Sequence, residues 1–213
     1  MLKNLAGVLG VLCCLTSLEA ATITLGGTAV ANEGQKSSVA GATTVDFNGR
    51  PSGGPQAFTA GIASYSDVFA RTNSSGDVLD DSSIFVNAIG ASDLVIQFSQ
   101  PIRYFGFYWG SPDPANTLRL FNGSTLLLTY TAQNLHDQLG AAFGSFNAAY
   151  VNFAADAGES YTRVVFSTGG SFPFESDNHA FLQAAPEPAT WLTAVLGVVV
   201  VVRRRAHVRP SRT

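Results

Sequence analysis

Few residues in this chain are equipped for acid–base or nucleophilic chemistry. Between residues 21 and 185 the only imidazoles are His136 and His179, and no G-x-S-x-G elbow supplies a nucleophile for either. No H-E-x-x-H and no closely spaced histidine pair offers a zinc site. Both cysteines, Cys13 and Cys14, fall within the first twenty residues, so a chain shortened there has neither a disulfide nor thiolate chemistry. Carboxylates remain. Two of Asp113, Glu159, Glu175 and Asp177 would hydrolyse a glycoside if they flanked its bond, but nothing in their spacing makes any two converge. The expectation is a protein without catalytic activity.

Oxygen donors point to a different ion. Asp, Asn and backbone carbonyls are hard ligands that suit calcium, and two clusters concentrate them: Asp77 to Ser82, and Glu175-Ser176-Asp177-Asn178. Neither follows the spacing of an EF-hand loop. Glu175, Asp177 and Asn178 are the better candidate ligands for a structural calcium, with solvated loop carboxylates as the alternative. For a larger ligand, Tyr104 and Tyr108 share one face of an aromatic run and form either a second buried face or an exposed platform for sugar rings. The loop from Gly110 to Thr117 adds Ser111, Asp113 and Asn116, whose polar groups match sugar hydroxyls, on a backbone stiffened by Pro112 and Pro114.

The elements that must carry these residues are strands. Leu94, Ile96 and Phe98 alternate with Val95 and Gln97, and Phe105, Phe107 and Trp109 take the face opposite Tyr104 and Tyr108. Further runs at 118–121, 126–130, 150–153 and 162–167 are separated by Asn122-Gly123-Ser124, Asp156-Ala157-Gly158 and Gly169-Gly170. Asn122-Gly123 is the strongest hairpin signal. Only Ala132 to Gly140 offers one or two helical turns. Before residue 80 the pattern blurs, because residues 26–61 are rich in Gly, Ser, Thr and Ala. Many short strands with glycine-rich turns predict an all-β, antiparallel sandwich of jelly-roll type for residues 21–185.

Charge and the chain ends set the context. The whole chain of 213 residues carries a formal charge of -3, but residues 21–185 hold 13 acids against 6 bases, so this segment is acidic and ill-suited to nucleic acid. Lys3 followed by the apolar run Leu5 to Leu18 reads as a secretory signal peptide over residues 1–20, cut after Ala20 or Ala21 and exported by the Sec machinery. At the other end Pro186-Glu187-Pro188 precedes Ala189 to Val202, which is free of charge, and then Arg203-Arg204-Arg205. As a helix the apolar stretch rises about 21 Å, a marginal membrane span that must borrow its flanks. The arginines act as a stop-transfer cluster that holds their end in the cytoplasm and leaves the acidic segment outside.

This ending resembles the PEP-CTERM sorting signal of Gram-negative surface proteins, in which the Pro-Glu-Pro motif, the helix and a basic tail, here 203–213, occur in that order. The resemblance implies that Pro186, Glu187 and Pro188 are read by an exosortase, which removes the helix after a stage of inner-membrane anchoring. An ordinary tail anchor is the alternative. The stretches Tyr104 to Thr117 and Phe174 to Ala180 also look like the body of a group of such proteins, over residues 94–182, with an acidic Asp-Asn preceding the last strand. That likeness implies an extracellular sandwich of the kind seen in carbohydrate-binding modules, placed at the cell surface or in the matrix, with exopolysaccharide and biofilm as its setting. A glycan-binding module is the second reading and a secreted glycosidase the third.

Overall fold

The structure is a computed structural model, and it describes residues 21–72, 84–90, 92–140, 148–169 and 172–184. Residues 1–20, read as a signal peptide, the Asp77 to Ser82 cluster, Pro186 to Pro188, the apolar stretch and the arginine cluster lie outside the described residues. Among the described residues no helix is long and apolar enough to cross a membrane.

The described chain is an antiparallel, mostly β fold of sandwich-like form. Its strands in chain order are β1 (Thr22–Leu25), β2 (Thr28–Ala29), β3 (Gln35–Lys36), β4 (Thr43–Val45), β5 (Gly53–Ala60), β6 (Ala63–Thr72) and β7 (Ile84–Ala88). They continue with β8 (Leu94–Trp109), β9 (Asn116–Asn122), β10 (Thr125–Thr131), β11 (Ala149–Ala154), β12 (Tyr161–Thr168) and β13 (Phe174–Gln183), with one helix, α1 (Ala132–Leu139), between β10 and β11.

Two strands serve both layers. The first half of β8 pairs with β12 and β6 (Ile96 opposite Val164 and Tyr65), while its second half pairs with β11 and β13 (Phe107 opposite Val151, Phe105 opposite Phe181). The change of partners falls at the exposed stretch Ser99-Gln100-Pro101, and a proline is tolerated there because neighbours no longer need its missing N–H. Strand β6 does likewise: Ala63 to Ser66 pair with β8, Phe69 to Thr72 with β7, and between them Asp67 turns at φ 57°. One layer is therefore β10-β9-β12-β8-β6, the other β1-β11-β8-β13 continued by β4 and β7. Strand β5 runs along the outer edge of β6.

The space between the layers holds the main core. Leu94, Ile96 and Phe98 face it from one layer, and Phe105, Phe107 and Trp109 from the other, all buried as their alternation predicts. Phe107 touches Phe166 of the opposite layer at a ring distance of 5.1 Å, edge to face. The Asn122-Gly123 hairpin joins β9 and β10, with Gly123 at φ 58°, a value that glycine adopts at no steric cost. Helix α1 starts where Thr131 caps it: the hydroxyl accepts from the Asn134 N–H, and the Asn134 side chain accepts from the Thr131 N–H. It buries Ala132 and Leu135.

The outer face of the second layer is covered too. Tyr104, Tyr108, Tyr150, Phe85 and Ala180 form a smaller cluster there, against which Val39 and Ala42 of the N-terminal segment pack. That segment lies close because it has lost side chains: a Cβ on Gly34, at φ 61°, would collide with the Tyr108 ring, and one on Gly27 would crowd the Tyr150 ring. Short strands and glycines are thus what a lid over aromatic rings requires, and they explain why periodicity fades before residue 80.

Candidate functional site

The polar run Glu175 to His179 lies within β13, which corrects the expectation that an acidic Asp-Asn precedes the last strand and removes the alternative of solvated loop carboxylates for Glu175 and Asp177. Backbone pairing with β8 and β7 holds these residues in the middle of a layer despite their weak strand propensity. A β-bulge between Asp177 and Ala180 accommodates them: three steps along β13 match two along β8, and Asn178 sits at φ 50°. At this point the other neighbour of β13 changes from β7 to β4. Ser176, Asp177, Asn178 and His179 are fully buried, and Glu175 nearly so.

Ser176, Asp177, Asn178 and His179 each have a visible partner. The Asn178 N–H donates to Asp177 Oδ1 at 2.6 Å, the Asn178 amide donates to the Glu33 carbonyl at 2.6 Å, and the Asn178 carbonyl accepts from Tyr150 Oη at 3.0 Å. Ser176 Oγ and His179 Nε2 lie 2.9 Å apart. That spacing is what a nucleophile and base need, but neither residue has exposed surface, so no substrate reaches the pair. His179 stacks on Phe166 at 5.2 Å and meets the Phe47 edge at 4.9 Å; burial in this aromatic cage lowers its pKa to about 3 and keeps the imidazole neutral. His136 sits on α1. Among the described residues, no group of three or more His, Cys, Asp or Glu gathers as a metal cluster. Of the other carboxylates, Asp113 lies in the β8–β9 loop, where burial raises its pKa, and Glu159 is exposed in the β11–β12 turn.

The tyrosine pair resolves to the buried alternative. Tyr104 and Tyr108 are 4% and 5% exposed, so neither ring presents an open platform to a sugar. Tyr104 Oη donates to Asn152 Oδ1 at 2.7 Å and lies 2.8 Å from Ser37 Oγ, while Asn152 Nδ2 donates to the carbonyls of Thr24 and Gly26. The loop candidates are partly engaged in shaping the loop. Asn116, buried at the start of β9, accepts from the Asp113 N–H through Oδ1 at 3.1 Å, and its own N–H donates to the Asp113 carbonyl at 2.9 Å. Ser111 and Asp113 are half-buried beside them.

A site that the sequence did not single out lies between β4 and the β5–β6 turn. An open groove of about 580 Å³ is lined by Thr43, Thr44, Asp46, Phe47, Arg50 and Gly61, among others. Its wall is the turn Asp46-Phe47-Asn48-Gly49-Arg50, closed by the Arg50 N–H donating to the Phe47 carbonyl at 2.9 Å and tied to β7 by the Ile84 N–H donating to Asn48 Oδ1. Phe47 adopts φ 57°, uncommon for a bulky side chain, and its buried ring pays for the conformation by packing edge-on against Phe58, Tyr65 and His179. The Arg50 guanidinium lies 3.3 Å over the Phe58 ring, which stacks on Tyr65 at 4.6 Å. Asp46 lies 3.6 Å from Lys36, which also pairs with Glu33.

No family model, curated protein or solved structure matches this chain. Its function therefore rests on its own residues. The sequence signal for the groove was the D-F-N-G turn followed by arginine; what hid it is that Phe58, the ring under Arg50, belongs to a different strand.

Proposed function

We propose that this chain is an exported, non-catalytic surface or matrix protein whose C-terminal segment is read by an exosortase. The observation that carries the reading is the ending itself, Pro186-Glu187-Pro188, an uncharged stretch from Ala189 to Val202 and Arg203-Arg204-Arg205 in that order. The fold is compatible with it: an acidic, antiparallel β domain without cysteine needs no particular redox compartment, and its Ser176–His179 pair is sealed from substrates. On this reading the sandwich is a jelly-roll of the carbohydrate-binding-module type, exported by Sec, anchored through the helix and then passed to the surface, where exopolysaccharide surrounds it.

The test separates a sorting signal from a plain anchor. Glu187→Ala leaves hydrophobicity and the arginine cluster intact, so insertion persists while processing falls. Replacing Arg203, Arg204 and Arg205 with glutamine removes the stop-transfer charge and disturbs orientation instead. Intact mass of protein recovered from its native host reports both terminal cleavages. A wild-type chain that keeps its helix there, with Glu187→Ala behaving identically, replaces the exosortase reading with the tail anchor.

A further inference from the structure

We infer that the groove beside Arg50 binds a carboxylate-bearing saccharide, with Arg50 taking the carboxylate and the threonines and Asp46 taking hydroxyls. The inference concerns a ligand site and is independent of how the chain is sorted.

The guanidinium is the central observation. Among the described residues Arg50 makes no side-chain hydrogen bond and no ion pair; its one side-chain partner is the Phe58 ring beneath it. Stacking fixes the plane of the guanidinium while leaving its five N–H donors uncommitted, which is the preorganised fork that a carboxylate matches with two parallel hydrogen bonds. The support is stiff, because Phe58 rests on Tyr65, Phe47 braces both rings, and the Phe47 backbone is held in a strained conformation that surrounding contacts must enforce. Two other cations differ: Lys36 and Arg119 are paired with carboxylates. Arg163 also lies over a ring, that of Phe121, and serves as the comparison.

Shape and charge narrow the ligand. About 580 Å³ falls within the range of small-molecule sites, roughly 300–1,000 Å³. Thr43 and Thr44 are among its lining residues, each with a hydroxyl able to donate and accept, and Asp46 adds an acceptor, a set suited to a ligand rich in hydroxyls. Gly49 and Gly61 complete the lining. Asp46 within the same groove favours a singly charged anion; a dianionic phosphate would bring a second negative charge that Arg50 alone does not neutralise. Generic attraction of polyanions is unavailable to a segment with 13 acids and 6 bases, so affinity has to come from local contact. A second groove of about 380 Å³ shares Thr43 and Gly61 and runs on to Phe181 and Gln183, offering a path for a chain longer than one sugar.

The experiment is calorimetric titration of the full chain, in a detergent without a sugar headgroup, with trigalacturonate, maltotriose and acetate. Trigalacturonate should bind, and the other two should bind at least tenfold more weakly. Arg50→Ala should lower trigalacturonate affinity at least tenfold, Arg50→Lys should restore part of it, and Arg163→Ala should leave it unchanged, with thermal melts confirming that each variant is folded. No binding of trigalacturonate by the wild type overturns the inference, as does equal binding of maltotriose or of acetate. An equal loss in Arg163→Ala would reduce the effect to general charge and overturn it too. Should Arg50→Ala fail to fold, Thr43→Val and Thr44→Val together test the same groove, and unchanged affinity in that variant counts against it.

Discussion

The two faces of the second half of β8 solve one problem in opposite ways. Phe105, Phe107 and Trp109 point between the layers into a core of rings, whereas Tyr104 and Tyr108 point outward and are buried by the N-terminal segment. The inner face is tight because rings meet rings: Phe107 lies within 6.4 Å of Trp109, Phe153, Phe166, Phe174 and the His179 imidazole. The outer face closes through named hydroxyls, Tyr104 on Asn152 and Ser37, Tyr150 on the Asn178 carbonyl, and through glycines that let backbone approach rings. Apolar contact is tolerant of partners but sensitive to volume, while the hydrogen-bonded face depends on specific atoms. Substitutions on the two faces should therefore fail differently.

The largest effect is expected inside. Phe107→Ala removes a fully buried ring from the centre of the inter-layer cluster, and such truncations cost about 3–5 kcal/mol, because the surroundings collapse only partly into the cavity. Denaturant unfolding of the full chain measures it. A loss below about 1 kcal/mol would mean that the inner face is not the principal core, and the contrast between faces would be broken.

Next in size is a response to acid on the inner face. The pKa of His179 is lowered to about 3 by burial, whereas an unfolded histidine titrates near 6.5. The unfolded chain therefore binds the proton first as pH falls. The contribution of neutral His179 is intact above pH about 6.5, shrinks between there and about 3, and amounts to about 3 kcal/mol lost between pH 7 and pH 4. His179→Gln can keep a hydrogen bond to Ser176 without the titration, so its stability should fall less steeply over that range. Parallel pH profiles for the two proteins would remove His179 from the account. On the outer face burial raises the pKa of Tyr104 and Tyr150, so both stay neutral through the acid range.

How much of this could be read from the residues follows the same division. Alternation in Leu94 to Phe98 and Phe105 to Trp109 announced the inner face, because a strand with one face in a dry core must place apolar residues at period two. The Asn122-Gly123 turn and the short helix after Tyr130 were legible for equally local reasons. Strand β13 was misread through Glu175 to His179, since polar residues signal a loop unless a bulge and two flanking strands enclose them, and those come from distant sequence. The N-terminal lid was indistinct because its elements are as short as two residues, as with β2 and β3. Tyr104 and Tyr108 left two alternatives, and only the lid decides between them. Arg50 and Phe58 are unremarkable eight residues apart until the β5–β6 pairing sets Phe58 opposite Tyr65 and Arg50 closes over it.

The smallest effect, and the sharpest test of the contrast, is on the outer face. Tyr104→Phe keeps the ring and deletes one oxygen, leaving Asn152 Oδ1 without the hydrogen bond it receives at 2.7 Å. A buried acceptor stranded in this way costs about 1–2 kcal/mol. The same oxygen lies 2.8 Å from Ser37 Oγ on the lid, so Ser37→Ala should cost less in the Tyr104→Phe background than alone, with a coupling of about 0.5–1 kcal/mol. Because Asn152 also holds the Thr24 and Gly26 carbonyls, loosening should be local: amide hydrogen exchange should rise across residues 24–37 while the inner strands keep their protection. Purely additive costs, with exchange rising equally on both faces, would show that the hydroxyl network does not hold the lid, and shape alone would then account for both sides of β8.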